Sequence, residues 1–238
     1  MPLTKQIKSK ERVAKHGEVF TNEKIVKAMC DLVKAETERI DSRFLEPACG
    51  NGNFLAEILQ RKLAVVERRY GKKPAEYERY SLQALASIYG VELLADNVAE
   101  CRDRLFALWD AAYTANAKKD AREECRDAAR YIVRKNILCG NALSLKCVDE
   151  NGGDTDEAIA FTEWSFINDL VQQRLYRFDV LLEENADAEN YYCQQSLFGG
   201  GASDYENWGV DQKTGATIPL PIPGSEFSSK YWRVQDNG

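Results

Sequence analysis

The chain has one histidine, six prolines and no adjacent proline pair among its 238 residues. A Ser-His-Asp triad or a histidine-based metal centre would have to use the lone histidine, His16, which sits beside glycine in a basic stretch, so neither is expected. No apolar run approaches the ~20 residues that span a bilayer. The basic start, Lys5, Lys8, Lys10, Arg12 and Lys15, has no apolar stretch behind it, so no secretory signal or membrane association is expected, and the expected location is cytoplasmic. The seven cysteines, Cys30, Cys49, Cys101, Cys125, Cys139, Cys147 and Cys193, are odd in number and include no CxxC pair. That is the pattern of neither a disulfide framework nor a zinc site. Metal ligands are therefore not expected.

Hydrophobic residues make up 44% of the chain, enough for a sizeable core, and charged residues 29%. The net charge of −6 argues against strong DNA affinity for the chain alone, because non-specific binding rests on neutralising phosphates. Residues 1–17 read as an extended basic arm, either a solvated tail or a phosphate contact.

Helical spacing follows in Ile25, Met29, Leu32 and Val33, with Thr21 or Asn22 as the cap. The string RFLEPACGNGNFL then reads as a short strand, a tight turn at Gly50 and Gly52, and an amphipathic helix through Leu55, Ile58, Leu59, Leu63, Val66 and Tyr70. A second helix is expected at about 75–87, a strand in SIYGVELL, and a long stripe through Leu94, Val98, Cys101, Leu105, Leu108 and Ala112. A further helix at about 120–134 precedes a third strand in NILCGNAL, and RFDVLL (177–182) reads as a fourth. Strands alternating with helices imply an α/β fold, a doubly wound, Rossmann-like parallel sheet covered on both faces. The domain should span 18–185, with 186–238 a polar, loosely packed tail.

Glycines let backbone approach a ligand, and the next helix presents free amides to it. Gly50 and Gly52 give only GxG, so the dinucleotide fingerprint is incomplete, and Glu46 would repel a phosphate. An acid there suits a ligand with a cationic amino end. Glu92, ending the second strand about 40 residues on, stands where such folds bind ribose hydroxyls, although the usual separation is ~20.

GEVFT (17–21), FLEPACGNGNF, YGVELLADNVAECRDRL and NILCGNAL together resemble the family of S-adenosylmethionine-dependent DNA adenine-N6 methyltransferases, over roughly residues 11–182. The resemblance is closest to bacterial members of type I and type IIG restriction-modification systems. It implies a truncated sheet of the S-adenosylmethionine-dependent methyltransferase type behind an N-terminal helical segment. It further implies that Phe20 and Thr21 line the methionine end of the cofactor and that Glu46 contacts its amino group. Pro47, Ala48, Gly50, Gly52 and Phe54 form the loop beneath it. Glu92 binds the ribose, Leu93 packs on the adenine, and Asn141, the residue after Gly140, reads the adenine amino group, with Ala142 beside it in the site.

The family's catalytic [Asn/Asp/Ser]-Pro-Pro-aromatic string is missing; Glu184, Asn185, Ala186 and Asp187 stand in its place, with Tyr191 and Tyr192 nearby. No catalytic residue is therefore assigned. The resemblance implies a cofactor-binding chain that is deficient in methyl transfer alone and works with DNA and a partner chain. An active enzyme using unconventional residues and a non-catalytic DNA- or clamp-associated module are the alternatives. Gln194–Phe198 (QQSLF) resembles a sliding-clamp docking peptide, and its Leu197 and Phe198 would otherwise pack on the protein itself.

Overall fold

In a computed structural model, the described residues are 6–182, 208–211, 213–215 and 217–237. Glu184–Asp187, Tyr191, Tyr192, Cys193 and the Gln194–Phe198 peptide lie outside them.

The chain enters through α1 (Lys10–His16), where an extended arm was expected. Ser9 Oγ accepts from Arg12 N at 3.1 Å to cap its start, and Gly17, at φ 64°, ends it. α2 (Glu23–Leu32) is capped by Asn22, which accepts from Lys24 N, and the short α3 (Lys34–Thr37) follows. Then come β1 (Phe44–Glu46), α4 (Asn53–Tyr70), α5 (Pro74–Ala86), β2 (Ile88–Glu92), α6 (Ala95–Ala117), α7 (Glu123–Asn136) and β3 (Ile137–Asn141). These are the expected helices and strands, displaced by three residues or fewer except that α6 runs five residues past Ala112.

β1, β2 and β3 pair in parallel, in that order. The sheet continues antiparallel into β4 (Lys146–Val148) and β5 (Asp154–Ala158). This is the α/β, Rossmann-like arrangement in truncated form, and β1 is an edge strand among the described residues. Side chains alternate across β2: Gly90 lies against Cys49 and Leu55 of the α4 side, while Tyr89 points to the opposite face. There a hairpin, β6 (Ala160–Ile167) with β7 (Leu170–Arg177), contributes to the cover. The Tyr89 hydroxyl donates to Thr162 O at 2.9 Å and its ring meets Phe161 edge-on at 5.5 Å.

RFDVLL is not a strand. β7 ends at Arg177, and α8 (Phe178–Leu182) turns away. Phe178 N donates to Ile159 O, and Asp179 accepts from Val180 N at 2.9 Å, which favours the helical turn. Phe178 and Val180 are buried while Leu181 and Leu182 are exposed. A short apolar run carries no period that separates helix from strand, so the pattern was compatible with both.

α2 departs from expectation as well. Ile25, Met29, Leu32 and Val33 face outward, Leu32 at 85% exposure, and the helix packs through Val26 and Cys30 against the α4 side. On the neighbouring edge, Leu45 is also exposed.

Lys62 of α4 is fully buried and secures the entry to β1. Its ammonium donates to the carbonyls of Arg39, Ile40 and Ser42 and to Ser87 Oγ. Burial pushes its pKa down to about 7, and the carbonyl acceptors oppose that shift by favouring the charged form.

The end of the chain is built into the fold rather than loosely attached. β8 (Trp208–Val210) pairs with β9 (Thr217–Pro219), and β10 (Phe227–Lys230) joins the far edge of β7. A 3-10 segment, Tyr231–Asn237, brings Tyr231 and Val234 into the main core. Buried Glu78 of α5 gathers the Tyr113 hydroxyl at 2.7 Å, the Tyr231 hydroxyl at 3.0 Å and the Arg122 guanidinium.

Candidate cofactor site

The site lies at the carboxyl ends of β1 and β2, where open α/β sheets bind ligands. After Glu46 the chain leaves β1 through exposed Pro47 and Ala48. Cys49 N donates to Val91 O and Gly52 N to Cys49 O, so the loop is tied to β2 and curled on itself. Gly50 (φ 51°) and Gly52 (φ 82°) adopt the left-handed conformation that side chains disfavour. A Cβ on Gly52 would stand 2.6 Å from Cys101 Sγ, and one on Gly50 would stand 3.1 Å from the Phe20 ring. Gly52 opens α4 without a side-chain cap.

The two expected acids have opposite surroundings. Glu92 is buried, and its Oε2 accepts from Gly50 N at 2.9 Å, joining the second strand to the glycine loop. Its Oε1 accepts from Leu94 N at 3.0 Å and from Asn97 Nδ2 at 3.3 Å. Glu46 is partly buried, and its carboxylate has no hydrogen bond or ion pair among the described residues. Burial raises its pKa.

Phe20 lies over Gly50, and Thr21 O accepts from Asn53 Nδ2 at 3.1 Å, so the GEVFT segment is fastened to the start of α4. Phe54 and Ala142 are partly buried against the core, and Leu93 lies between β2 and α6 with its carbonyl facing Cys139 Sγ at 3.7 Å. Asn141 is drawn aside: its amide donates to Asp154 at 3.0 Å, and its side-chain oxygen accepts from Leu143 N at 3.0 Å.

Three neighbours went unnoticed in the sequence. Asn51, inside the glycine loop, is buried; its Nδ2 donates to Glu100, and its Oδ1 has no partner. Glu18 and Asn97, both buried, bond to each other at 2.6 Å. Glu18 stood within GEVFT, but nothing in its spacing linked it to Asn97. Two of the arm's cations serve this corner. Arg12 grips Glu18 at 2.6 and 2.7 Å and Asp96 at 2.8 and 3.0 Å, while Lys8 reaches Asp96 at 3.1 Å and Glu100 at 2.9 Å. The Arg12 hydrogen bond is the main cause that lowers the Asp96 pKa to about 2. Lys8 and Arg12 are thus engaged within the protein, which disfavours them as phosphate contacts.

The family described as MmeI, DNA-methyltransferase domain, matches residues 21–166, a stretch that holds both acids and the glycine loop. The chain belongs to this family. It is also similar to DNA methyltransferase A of Bacillus subtilis (strain 168), with 25% identity over 171 residues. That alignment covers 67% of this chain and 19% of the relative, so the chain spans about a fifth of the relative's length. No solved structure matches. No helix among the described residues is long and apolar enough to cross a membrane. In this MmeI-type domain Glu92 bonds to the glycine loop that follows Glu46, and the Asn141 side chain is held by Asp154 and Leu143 N.

Proposed function

We propose that the chain binds S-adenosylmethionine and serves as the cofactor-binding part of a bacterial, cytoplasmic DNA adenine-N6 methyltransferase of the restriction-modification kind. The observation that carries this reading is Glu46: a partly buried acid with no partner among the described residues, beside a left-handed glycine loop. Such an acid suits a cationic amino group, which would offset the cost of its burial. Gly50 and Gly52, with Pro47, Ala48 and Phe54, shape the floor. Phe20 and Thr21 border the methionine end, Glu92 retains acceptor capacity on Oε2 for ribose hydroxyls, and Leu93 flanks the adenine. Asn141 and Ala142 border the adenine edge, and the Asn141 amide would first have to leave Asp154 to read it. Bound here, the cofactor would supply a methyl group on a sulfonium.

Methyl transfer itself is assigned to an assembly with DNA and a partner chain. The missing Pro-Pro string, the edge of β1 left open among the described residues and the outward-facing Leu45 support this. Titration calorimetry with S-adenosylmethionine tests the binding. Glu46→Ala should weaken it about 10- to 100-fold, the range for loss of a charge-assisted contact. Unchanged affinity in that variant would refute the site. A tritiated-methyl assay on unmethylated DNA, with and without the products of neighbouring genes, tests the partner. Full transfer by the chain alone would refute its dependence.

A further inference from the structure

Resting on the cofactor reading above, we infer that residues 8–18 act through Asn97 to fix the orientation of Glu92, making Asn97 a positioning residue for the ribose end of the site. Asn97 is 1% exposed, and both ends of its side-chain amide are engaged. Its Oδ1 accepts from Lys8 Nζ at 2.6 Å; its Nδ2 donates to Glu18 Oε1 at 2.6 Å and to Glu92 Oε1 at 3.3 Å. One amide nitrogen carries two hydrogens, so it can serve both carboxylates at once. The N-terminal segment thus grips Asn97 from both sides, and Asn97 reaches onward to Glu92.

Two carboxylates sharing one amide repel each other. Arg12 relieves this from the outer side, with Nε on one oxygen of Glu18 and Nη2 on the other, in the planar fork that suits a carboxylate. Leu94 N and Asn97 Nδ2 occupy Oε1 of Glu92 from within, and Gly50 N directs Oε2 to the glycine loop. Glu92 therefore offers a sugar diol one oxygen in one orientation. That preorganisation is what the N-terminal segment contributes.

The test compares S-adenosylhomocysteine with its 2′,3′-dideoxyribose analogue by calorimetry on the full chain. The wild type should prefer the hydroxylated ligand by about tenfold, the discrimination expected from roughly one net hydrogen bond. Asn97→Ala should weaken the hydroxylated ligand until the preference disappears and leave the dideoxy ligand unchanged. Arg12→Gln, at the partly exposed end, should lower the preference by about threefold. If Asn97→Ala fails to fold by circular dichroism, Arg12→Gln alone decides. A wild-type preference retained in the variants, or equal weakening of both ligands, would overturn the positioning role while leaving the cofactor site intact. Failure of the wild type to bind either ligand would remove the cofactor reading and this inference with it.

Discussion

The ends of β1 and β2 lie side by side and carry the same residue type, yet their carboxylates are treated in opposite ways. Glu92 is held by Gly50 N, Leu94 N and Asn97 and acts as a joint of the fold as well as a ligand candidate. Glu46 is partly buried and holds nothing. An acid that earns no internal bond but sits where its charge is disfavoured points to a requirement outside the chain's own stability. The contrast separates two environments that sequence alone cannot distinguish: an acid that ties its strand end to the glycine loop and an acid whose carboxylate has no partner among the described residues.

The largest effect that could break this contrast is in affinity, where Glu46→Ala should reduce cofactor binding without lowering the melting temperature. Glu92→Ala should do both. Stripping three donors of their acceptor should cost about 1–3 kcal/mol of stability on denaturant unfolding, on the scale of buried donors left unsatisfied. Equal loss of stability in the two variants would end the distinction. Next comes the loop between them. Gly52→Ala places a Cβ at φ 82° and 2.6 Å from Cys101 Sγ, and should cost about 1–3 kcal/mol through strain and overpacking. An unchanged urea midpoint would show that the loop yields freely.

The smallest effect is in pH. Burial raises the Glu46 pKa, so the folded state holds its proton to higher pH than the unfolded chain does. Stability associated with this group is fully present below its unfolded pKa and is lost as pH rises through its folded pKa. Glu46→Gln should therefore melt slightly higher than wild type at pH 7, with the gap closing below the ordinary glutamate range. A gap that widened on acidification would contradict the assigned environment.

The glycine loop, β1 to β3 and α4 to α7 were legible in the sequence because local signals agreed with the packing. Leu55, Leu59 and Leu63 mark a helix face, and Gly50 and Gly52 mark a bend, without knowledge of distant neighbours. The failures fall where tertiary context decides. Ile25, Met29 and Leu32 have a core-like period, but Val26 and Cys30 are the residues α4 receives. RFDVLL has the composition of a buried strand, but the hairpin before it delivers the chain as a helical turn. Asn141 occupies the expected strand end, yet Asp154 on β5, thirteen residues later, claims its amide. Lys8 and Arg12 read as free cations, and only the fold reveals Asp96 within reach.

Glu78 bears on how the molecule comes apart. One carboxylate joins α5, the end of α6, the start of α7 and the Tyr231–Asn237 segment, through Tyr113, Arg122 and Tyr231. Detaching the C-terminal residues would take one of three donors from a buried acid and uncover the core around Tyr231 and Val234, so fraying from that end is not a cheap first step. Heating should release the terminus and the helical layer in a single concerted event, with no earlier loss of the tail.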